Sequence, residues 1–458
     1  MKLIYRKYVP LLALASLFAV EAVSQAALPP FFSSSAREHD VTFSAYIRTD
    51  KTSLDQIKAL SSAQQASFLS SDVKPLMKYL FGPATHNSLG SPQRSSQLSV
   101  DWNSAKLVNG KVELLYTYTG PWILRKDIAA AGSWTQAVPL NGDVVFTPNW
   151  KSCTDSAPEH QTTSFYWYFW DPARSGCDQV LERDYREVKF LVGAATLNQT
   201  QSFPEYEKLL KSNGIDKNLQ MTFAFGYVED ATTPNPDSDQ DYGMREYQDF
   251  VKQARTYISA NAQNIVETPI LQSEYPNATS PNTVIGHRFI GTRQGVKVSI
   301  SVVAAGGIDQ MYLFAKSFAH DHDGFFAWMG HSRVGSGFDA QNFGQIVAND
   351  PAYFSISSQY QVIYWGGCNS YSYYTLPFFK FKQSATDPTG TKGLDIIANG
   401  LPSLFSFNSG NALIALHHIL NWDEKASYQT ILTEIEDQAA NSGTYVLSAV
   451  LGDEDNAL

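Results

Sequence analysis

The sequence predicts a β-rich first part followed by an α/β part, in which helices flank a mostly parallel sheet. Between residues 27 and about 201, apolar and polar residues alternate, and turn pairs such as Asn109-Gly110 and Asn141-Gly142 separate the segments. From residue 203 onward, short continuous apolar runs alternate with segments of helical spacing, a pattern typical of parallel strands buried on both faces. The chain of 458 residues is long enough for two domains, and we place them at 27–202 and 203–458.

The individual elements follow from the same periodicities. In the first part, alternation predicts strands at 40–48, 111–118, 142–147 and 186–192. One stretch near 54–80 has helical spacing. In the second part, apolar runs predict strands at 219–228, 296–303, 324–329 and 361–365. Helical spacing predicts helices at 204–212, 245–260, 309–319 and 340–347.

The first 26 residues have the order of a cleavable export signal. Lys2, Arg6 and Lys7 precede an apolar run from Val9 to Val20, and a small-x-small site ends at Ala26. The apolar run is too short for a permanent anchor, and no later stretch has the roughly 18 uncharged apolar residues of a spanning helix. A buried N-terminal helix is the alternative, but such a helix rarely begins with three clustered cations. We therefore expect a secreted or periplasmic protein with no stable membrane span.

The charge of the chain argues against nucleic acid as a partner. The net charge is −10, and removal of residues 1–26, which hold three cations and one acid, makes it −12. An acidic surface repels a phosphate backbone.

Three cysteines suggest one disulfide and one remaining thiol. Cys153 and Cys177 are close in sequence, and disulfides persist in the oxidising conditions outside the cytoplasm. Cys368 is then left alone, either as a reactive thiol or as a buried small hydrophobe.

Two neighbouring predicted strands end in residues that suit nucleophilic catalysis. Strand 324–329 leads to His331 and strand 361–365 leads to Cys368, and the 37 residues between them suffice for one crossover helix. Ligands of open α/β sheets bind outside the carboxyl ends of the strands. A histidine there can tune the thiol or protonate a leaving group, and the backbone N–H groups of Ser332 and Cys368 can face an oxyanion.

These two segments, FFAWMGHS and QVIYWGGC, resemble the motifs of the caspase, gingipain, clostripain and legumain superfamily of cysteine peptidases. The resemblance covers at most residues 219–458 and implies a caspase-like α/β domain. It also implies that Cys368 attacks a peptide carbonyl, that His331 assists the leaving group, and that the Ser332 and Cys368 amides hold the oxyanion. The substrate would be a peptide or protein, with no metal or organic cofactor. Ser332 replaces the glycine of the family motif, and Gly367 replaces its alanine.

Several further features have two interpretations each. Arg333 is either a ligand for a substrate carboxylate or a surface ion-pair partner, and Tyr371 either lines a pocket or packs in the core. Residues 320–323, His-Asp-His-Asp, indicate the last turn of a helix rather than a metal site. The aromatic run 165–170 is either a sugar- or peptide-binding surface or a strand buried on both faces. The alternative to a peptidase is thus a non-catalytic secreted binding or adhesion protein.

Overall fold

The computed structural model describes most of the chain between residues 33 and 453. The described residues are 33, 35–50, 53–93, 96–141, 152–153, 170–196, 202–227, 240–275, 284–306, 309–332 and 340–453. The predicted export signal, the predicted strand at 142–147, Arg333 and all but the last residue of the aromatic run lie outside these ranges.

The first part of the chain forms an antiparallel sheet of six strands. The strands are β1 (Ala36–Thr49), β2 (Gly90–Pro92), β3 (Gln97–Val108), β4 (Lys111–Arg125), β5 (Ser133–Pro139) and β6 (Tyr185–Ala195). Their order is β2-β4-β1-β6-β5, and β3 pairs with residues 111–119 of β4, on the same side of β4 as β2. The turn between β3 and β4 is the predicted one, because Asn109 and Gly110 both have positive φ, at 50° and 78°.

Short helices cover this smaller sheet. They are α1 (Leu54–Lys58), α2 (Ser62–Phe68), α3 (Phe81–His86) and α4 (Lys126–Ala131). Alternate residues of β1 and β4 point into the core, where the Phe43 ring stacks on Tyr118 with centroids 4.9 Å apart. The predicted disulfide is confirmed: Cys153 and Cys177 are bonded, with Cα atoms 4.5 Å apart.

The second part of the chain forms a mixed sheet of eight strands. The strands are β7 (Asn218–Gly226), β8 (Gln263–Ile270), β9 (Ile285–Arg293), β10 (Val296–Ala305), β11 (Phe325–Met329), β12 (Gln361–Trp365), β13 (Leu394–Asn399) and β14 (Ser448–Leu451). The order is β14-β13-β12-β11-β7-β10-β9-β8. The five strands from β13 to β10 are parallel, whereas β8, β9 and β14 run antiparallel to their neighbours.

The prediction of a mostly parallel, caspase-like α/β sheet is therefore wrong. Three of the seven pairings in the larger sheet are antiparallel, and the smaller sheet is antiparallel throughout. The physical reason lies partly in a tight turn: Gln294 and Gly295 have φ of 51° and 78° and reverse the chain between β9 and β10. A two-residue turn joins antiparallel strands, whereas parallel strands need a crossover.

Helices lie on both faces of the larger sheet. They are α5 (Tyr206–Leu209), α6 (Tyr242–Asn261), α7 (Asp309–Ala319), α8 (Ala340–Asn349), α9 (Ser370–Tyr373), α10 (Thr375–Lys382), α11 (Asn408–Leu420) and α12 (Tyr428–Ala440). Alternate residues of β11 enter two separate cores: Phe325 packs with α6, α11 and α12, and Phe326 packs with α7, α8 and α10. In the described part of the chain, no helix has both the length and the apolar character needed to cross a membrane.

Polar contacts join the two sheets beside the segment that follows β12. The Asn369 amide donates to Ser91 Oγ at 3.0 Å, and the Ser91 and Ser372 hydroxyls are also 3.0 Å apart. The Tyr371 hydroxyl donates to a carboxylate oxygen of Glu38 on β1. The smaller sheet thus fixes the position of the chain just after Cys368.

Candidate active site

The strands that lead to His331 and Cys368 are adjacent. β11 and β12 pair in parallel from Phe325 and Val362 to Trp328 and Trp365. The pairing continues one residue further, because the Gly366 N–H donates to the Trp328 carbonyl at 2.8 Å. His331 and Cys368 therefore leave the sheet side by side at its carboxyl edge, the edge where α/β sheets bind ligands.

Glycine is required where the two strand ends approach each other. A Cβ added to Gly367 would lie 2.9 Å from the Gly330 oxygen and 3.3 Å from the Ser332 nitrogen. A Cβ on Gly366 would lie 2.6 Å from the Met329 sulfur. A side chain at position 367 would therefore crowd the backbone of the neighbouring strand end.

Cys368 is a half-buried residue whose thiol is held by a backbone carbonyl. Its Sγ donates to the Ser403 oxygen at 3.4 Å. Burial raises the pKa of the Cys368 thiol, and the hydrogen bond with Ser403 opposes this effect only in part. The resting group is therefore the protonated thiol at neutral pH.

His331 is half-buried and its backbone is anchored to the sheet. Its carbonyl accepts a hydrogen bond of 3.1 Å from the Trp328 indole. Its ring meets the ring of Phe405 edge-on, with centroids 4.9 Å apart and an interplanar angle of 82°. Because Ser403 contacts Cys368 and Phe405 contacts His331, the loop after β13 covers both side chains.

The chain turns sharply after Cys368. Asn369 has a φ of 47°, and α9 begins at the next residue. The Ser370 hydroxyl donates to the Trp365 carbonyl at 2.8 Å and accepts from the Asn399 N–H at 2.8 Å, which ties the turn to β12 and β13. This turn orients Cys368 at the sheet edge.

Tyr371 is fully buried, and its hydroxyl donates to Glu38. Thr196 donates to the other Glu38 oxygen at 2.7 Å, yet burial outweighs these bonds and raises the pKa of the Glu38 carboxyl. Tyr371 joins the two sheets next to the candidate site; contact between Tyr371 and a substrate stays a prediction, as does any role for Arg333.

The His-Asp-His-Asp segment lies at the opposite edge of the sheet, ahead of β11. The His320 and Asp321 N–H groups donate to the Lys316 carbonyl, so the segment closes the last turn of α7, as predicted. His320 Nδ1 lies 2.6 Å from a carboxylate oxygen of Asp321, but among the described residues no third donor of this segment joins them. The His320 ring stacks on Tyr353 at 4.0 Å, whereas Asp323 accepts bonds of 2.6 Å within the core. Burial, more than any other effect, raises the pKa of the Asp323 carboxyl to about 7.

Sequence reasoning missed three residues around the candidate site: Glu38, Ser403 and Phe405. Glu38 lies on a strand of the other sheet, and neither Ser403 nor Phe405 belongs to a recognisable motif. Their proximity to the site arises from the tertiary fold alone.

The disulfide is compatible with an extracellular protein. Comparison of the chain with protein-family models, curated proteins and solved structures gives no match.

Proposed function

We propose that the protein is an exported cysteine-type hydrolase that cleaves peptide bonds with Cys368 and His331. The observation that supports this proposal is the parallel pairing of β11 with β12, which brings an imidazole and the lone thiol to one edge of the sheet. The close contact of Gly367 with Gly330 and Ser332 brings the two strand ends together. The short motifs around His331 and Cys368, which resemble those of cysteine peptidases, point to the same chemistry.

The proposed reaction has two steps. Cys368 Sγ attacks the carbonyl carbon of the scissile peptide bond, and the thiol proton reaches the leaving amine through His331 as the C–N bond breaks. Water then attacks the thioester, which releases the acid product and restores the thiol. The N–H groups of Ser332 and Cys368 are the proposed donors to the oxyanion in both steps.

The structure adds one requirement to this mechanism. Because Cys368 Sγ donates to the Ser403 carbonyl, attack on a substrate requires release of that hydrogen bond. A substrate bound at the carboxyl edge would therefore displace the loop that carries Ser403 and Phe405. Burial also raises the thiol pKa, so we expect the rate to increase with pH above neutrality.

The second candidate is a secreted binding protein without catalysis. The raised thiol pKa and the bond to Ser403 favour it, because an inert core cysteine has the same properties. The aromatic run that would form its ligand-binding surface lies almost entirely outside the described residues.

Hydrolysis of a peptide library by the purified protein tests the proposal. We expect cleavage products from the wild type and none from Cys368→Ala, with His331→Ala reduced by about a hundredfold or more. His320→Ala is the matched control, because it removes an exposed histidine at the opposite edge of the sheet and should leave the rate unchanged. Equal cleavage by wild type and Cys368→Ala, or none by either, would refute the proposal.

A further inference from the structure

Two consecutive histidines near the end of α11 face a glutamate of α12. The ligand atoms of His417, His418 and Glu434 all lie within 4.8 Å of one another. Among the described residues, this is the one group of three histidine, cysteine or carboxylate side chains that comes so close together. We propose that these three residues bind a divalent transition-metal ion of the zinc type.

The geometry of His418 is the strongest support. Its side chain is only 6 % exposed, and Nε2 lies 3.0 Å from Oε2 of Glu434. Within the described part of the chain, neither ring nitrogen makes a hydrogen bond, so the carboxylate oxygen lies beside Nε2 but off the direction of a ring N–H. Two ligand atoms bound to one tetrahedral zinc at about 2.0–2.1 Å lie roughly 3.3 Å from each other, which is close to the distance between His418 Nε2 and Glu434 Oε2. Each ligand atom then directs its lone pair at the ion and not at the other ligand atom, as the missing hydrogen bond of His418 requires.

His417 brings a second imidazole to the same place. Consecutive helical residues point about 100° apart, so their side chains do not ordinarily face each other. Here the two rings are nearly parallel, at 8°, with centroids 4.9 Å apart. The Tyr257 ring lies 5.5 Å from the His417 ring and limits its movement.

The site is open on one side. The Glu434 side chain is 42 % exposed and His417 is partly exposed, so an ion can enter from solvent. Two imidazoles and one carboxylate are a donor set that suits zinc and leaves one coordination position for water. Glu434 Oε2 already lies 3.0 Å from His418 Nε2, so coordination of one ion requires the His417 ring to approach these two donors from within the 4.8 Å that the cluster spans.

The proposed metal site is separate from the candidate active site. α11 starts at Asn408, directly after the loop that covers Cys368, and His417 is nine residues further on. That distance is about 14 Å along the helix axis. The ion would join α11 to α12 rather than take part at Cys368.

Metal binding to the purified protein tests the inference. After removal of metals with a chelator, we expect the wild type to bind one Zn²⁺ per chain, with an increased melting temperature. His417→Ala and Glu434→Gln should each weaken Zn²⁺ binding at least about tenfold. His287→Ala is the matched control, because it removes a histidine on β9 that is paired with Glu267 at 2.8 Å and is not part of the cluster, so binding should be unchanged.

Cys368 is itself a strong zinc ligand, so Cys368→Ser is included. We expect this variant to bind Zn²⁺ like the wild type, and Co²⁺ in the wild type to show no thiolate charge-transfer band. The inference is overturned if no Zn²⁺ is retained, if Cys368→Ser abolishes binding, or if Glu434→Gln binds as tightly as the wild type. Circular dichroism of the metal-free variants shows whether they are folded.

Discussion

The buried carboxyl of Glu436 predicts a measurable dependence of stability on pH. Glu436 lies on α12 and accepts a hydrogen bond of 2.5 Å from the Ser448 N–H of β14. Burial raises its pKa from an ordinary 4.5 to about 7, against the opposing effect of hydrogen bonds, including one from Ser33. The folded chain therefore holds a proton that the unfolded chain releases between these two values.

The sign and size of the effect follow from proton linkage. The stability associated with a raised carboxyl pKa is fully present at pH values below the pKa of the unfolded chain. It is lost as the pH increases through the pKa of the folded chain. At 1.36 kcal/mol for each pKa unit, Glu436 should lower the free energy of unfolding by about 2.5 kcal/mol between pH 5 and pH 8.

The perturbation is Glu436→Gln, because glutamine imitates the protonated acid and does not titrate. Urea unfolding at pH 5, 6, 7 and 8 gives the free energy of unfolding of both proteins. We expect the wild type to lose about 2.5 kcal/mol more than the variant over this range. The control is Asp437→Asn, an exposed carboxyl on the same helix, which should change with pH as the wild type does. Parallel pH curves for wild type and Glu436→Gln would show that Glu436 does not cause the loss of stability.

Three further predictions concern packing, the disulfide and the contact between sheets. Gly367→Ala should cost about 1–3 kcal/mol in urea unfolding and abolish any hydrolysis, because the new Cβ would lie 2.9 Å from a backbone oxygen; an unchanged midpoint would contradict this. Replacement of both Cys153 and Cys177 by serine should cost about 3.5 kcal/mol, since their bond closes a loop over a separation of 24 residues; equal stability of the variant would count against it. Tyr371→Phe should cost about 1–3 kcal/mol, because it removes a donor from the buried Glu38; a fully stable variant would show that this contact is dispensable.

Much of the larger sheet was predictable because its central strands are buried on both faces. Continuous apolar runs placed β11 and β12 within one residue of their observed bounds, and helical spacing located α7. The antiparallel edges were not predicted. β8 and β9 are partly exposed, and β14 is buried but only four residues long. The Gln294-Gly295 turn lacks the asparagine or aspartate that usually marks such a hairpin.

The candidate site was predictable only in part. His331 and Cys368 were found from the sequence because each follows an apolar run and is flanked by glycine. The loop with Ser403 and the glutamate of the proposed metal site were not, because each lies on a separate element whose packing against its partner is not visible in the sequence. The two histidines at 417 and 418 gave no signal, since consecutive helical residues rarely share one ligand.

Covalent capture by a peptide-like probe tests most directly whether Cys368 is a nucleophile. A mixture of peptidyl acyloxymethyl ketones and a simple haloacetamide are each reacted with the native protein, and the labelled cysteine is located by mass spectrometry. If Cys368 is a peptidase nucleophile, the peptidyl probe should label it far faster than the haloacetamide, and His331→Ala should remove that advantage while His320→Ala does not. Labelling of Cys368 only after denaturation, or equally slow labelling by both reagents, would contradict a peptidase role and identify Cys368 as a structural thiol.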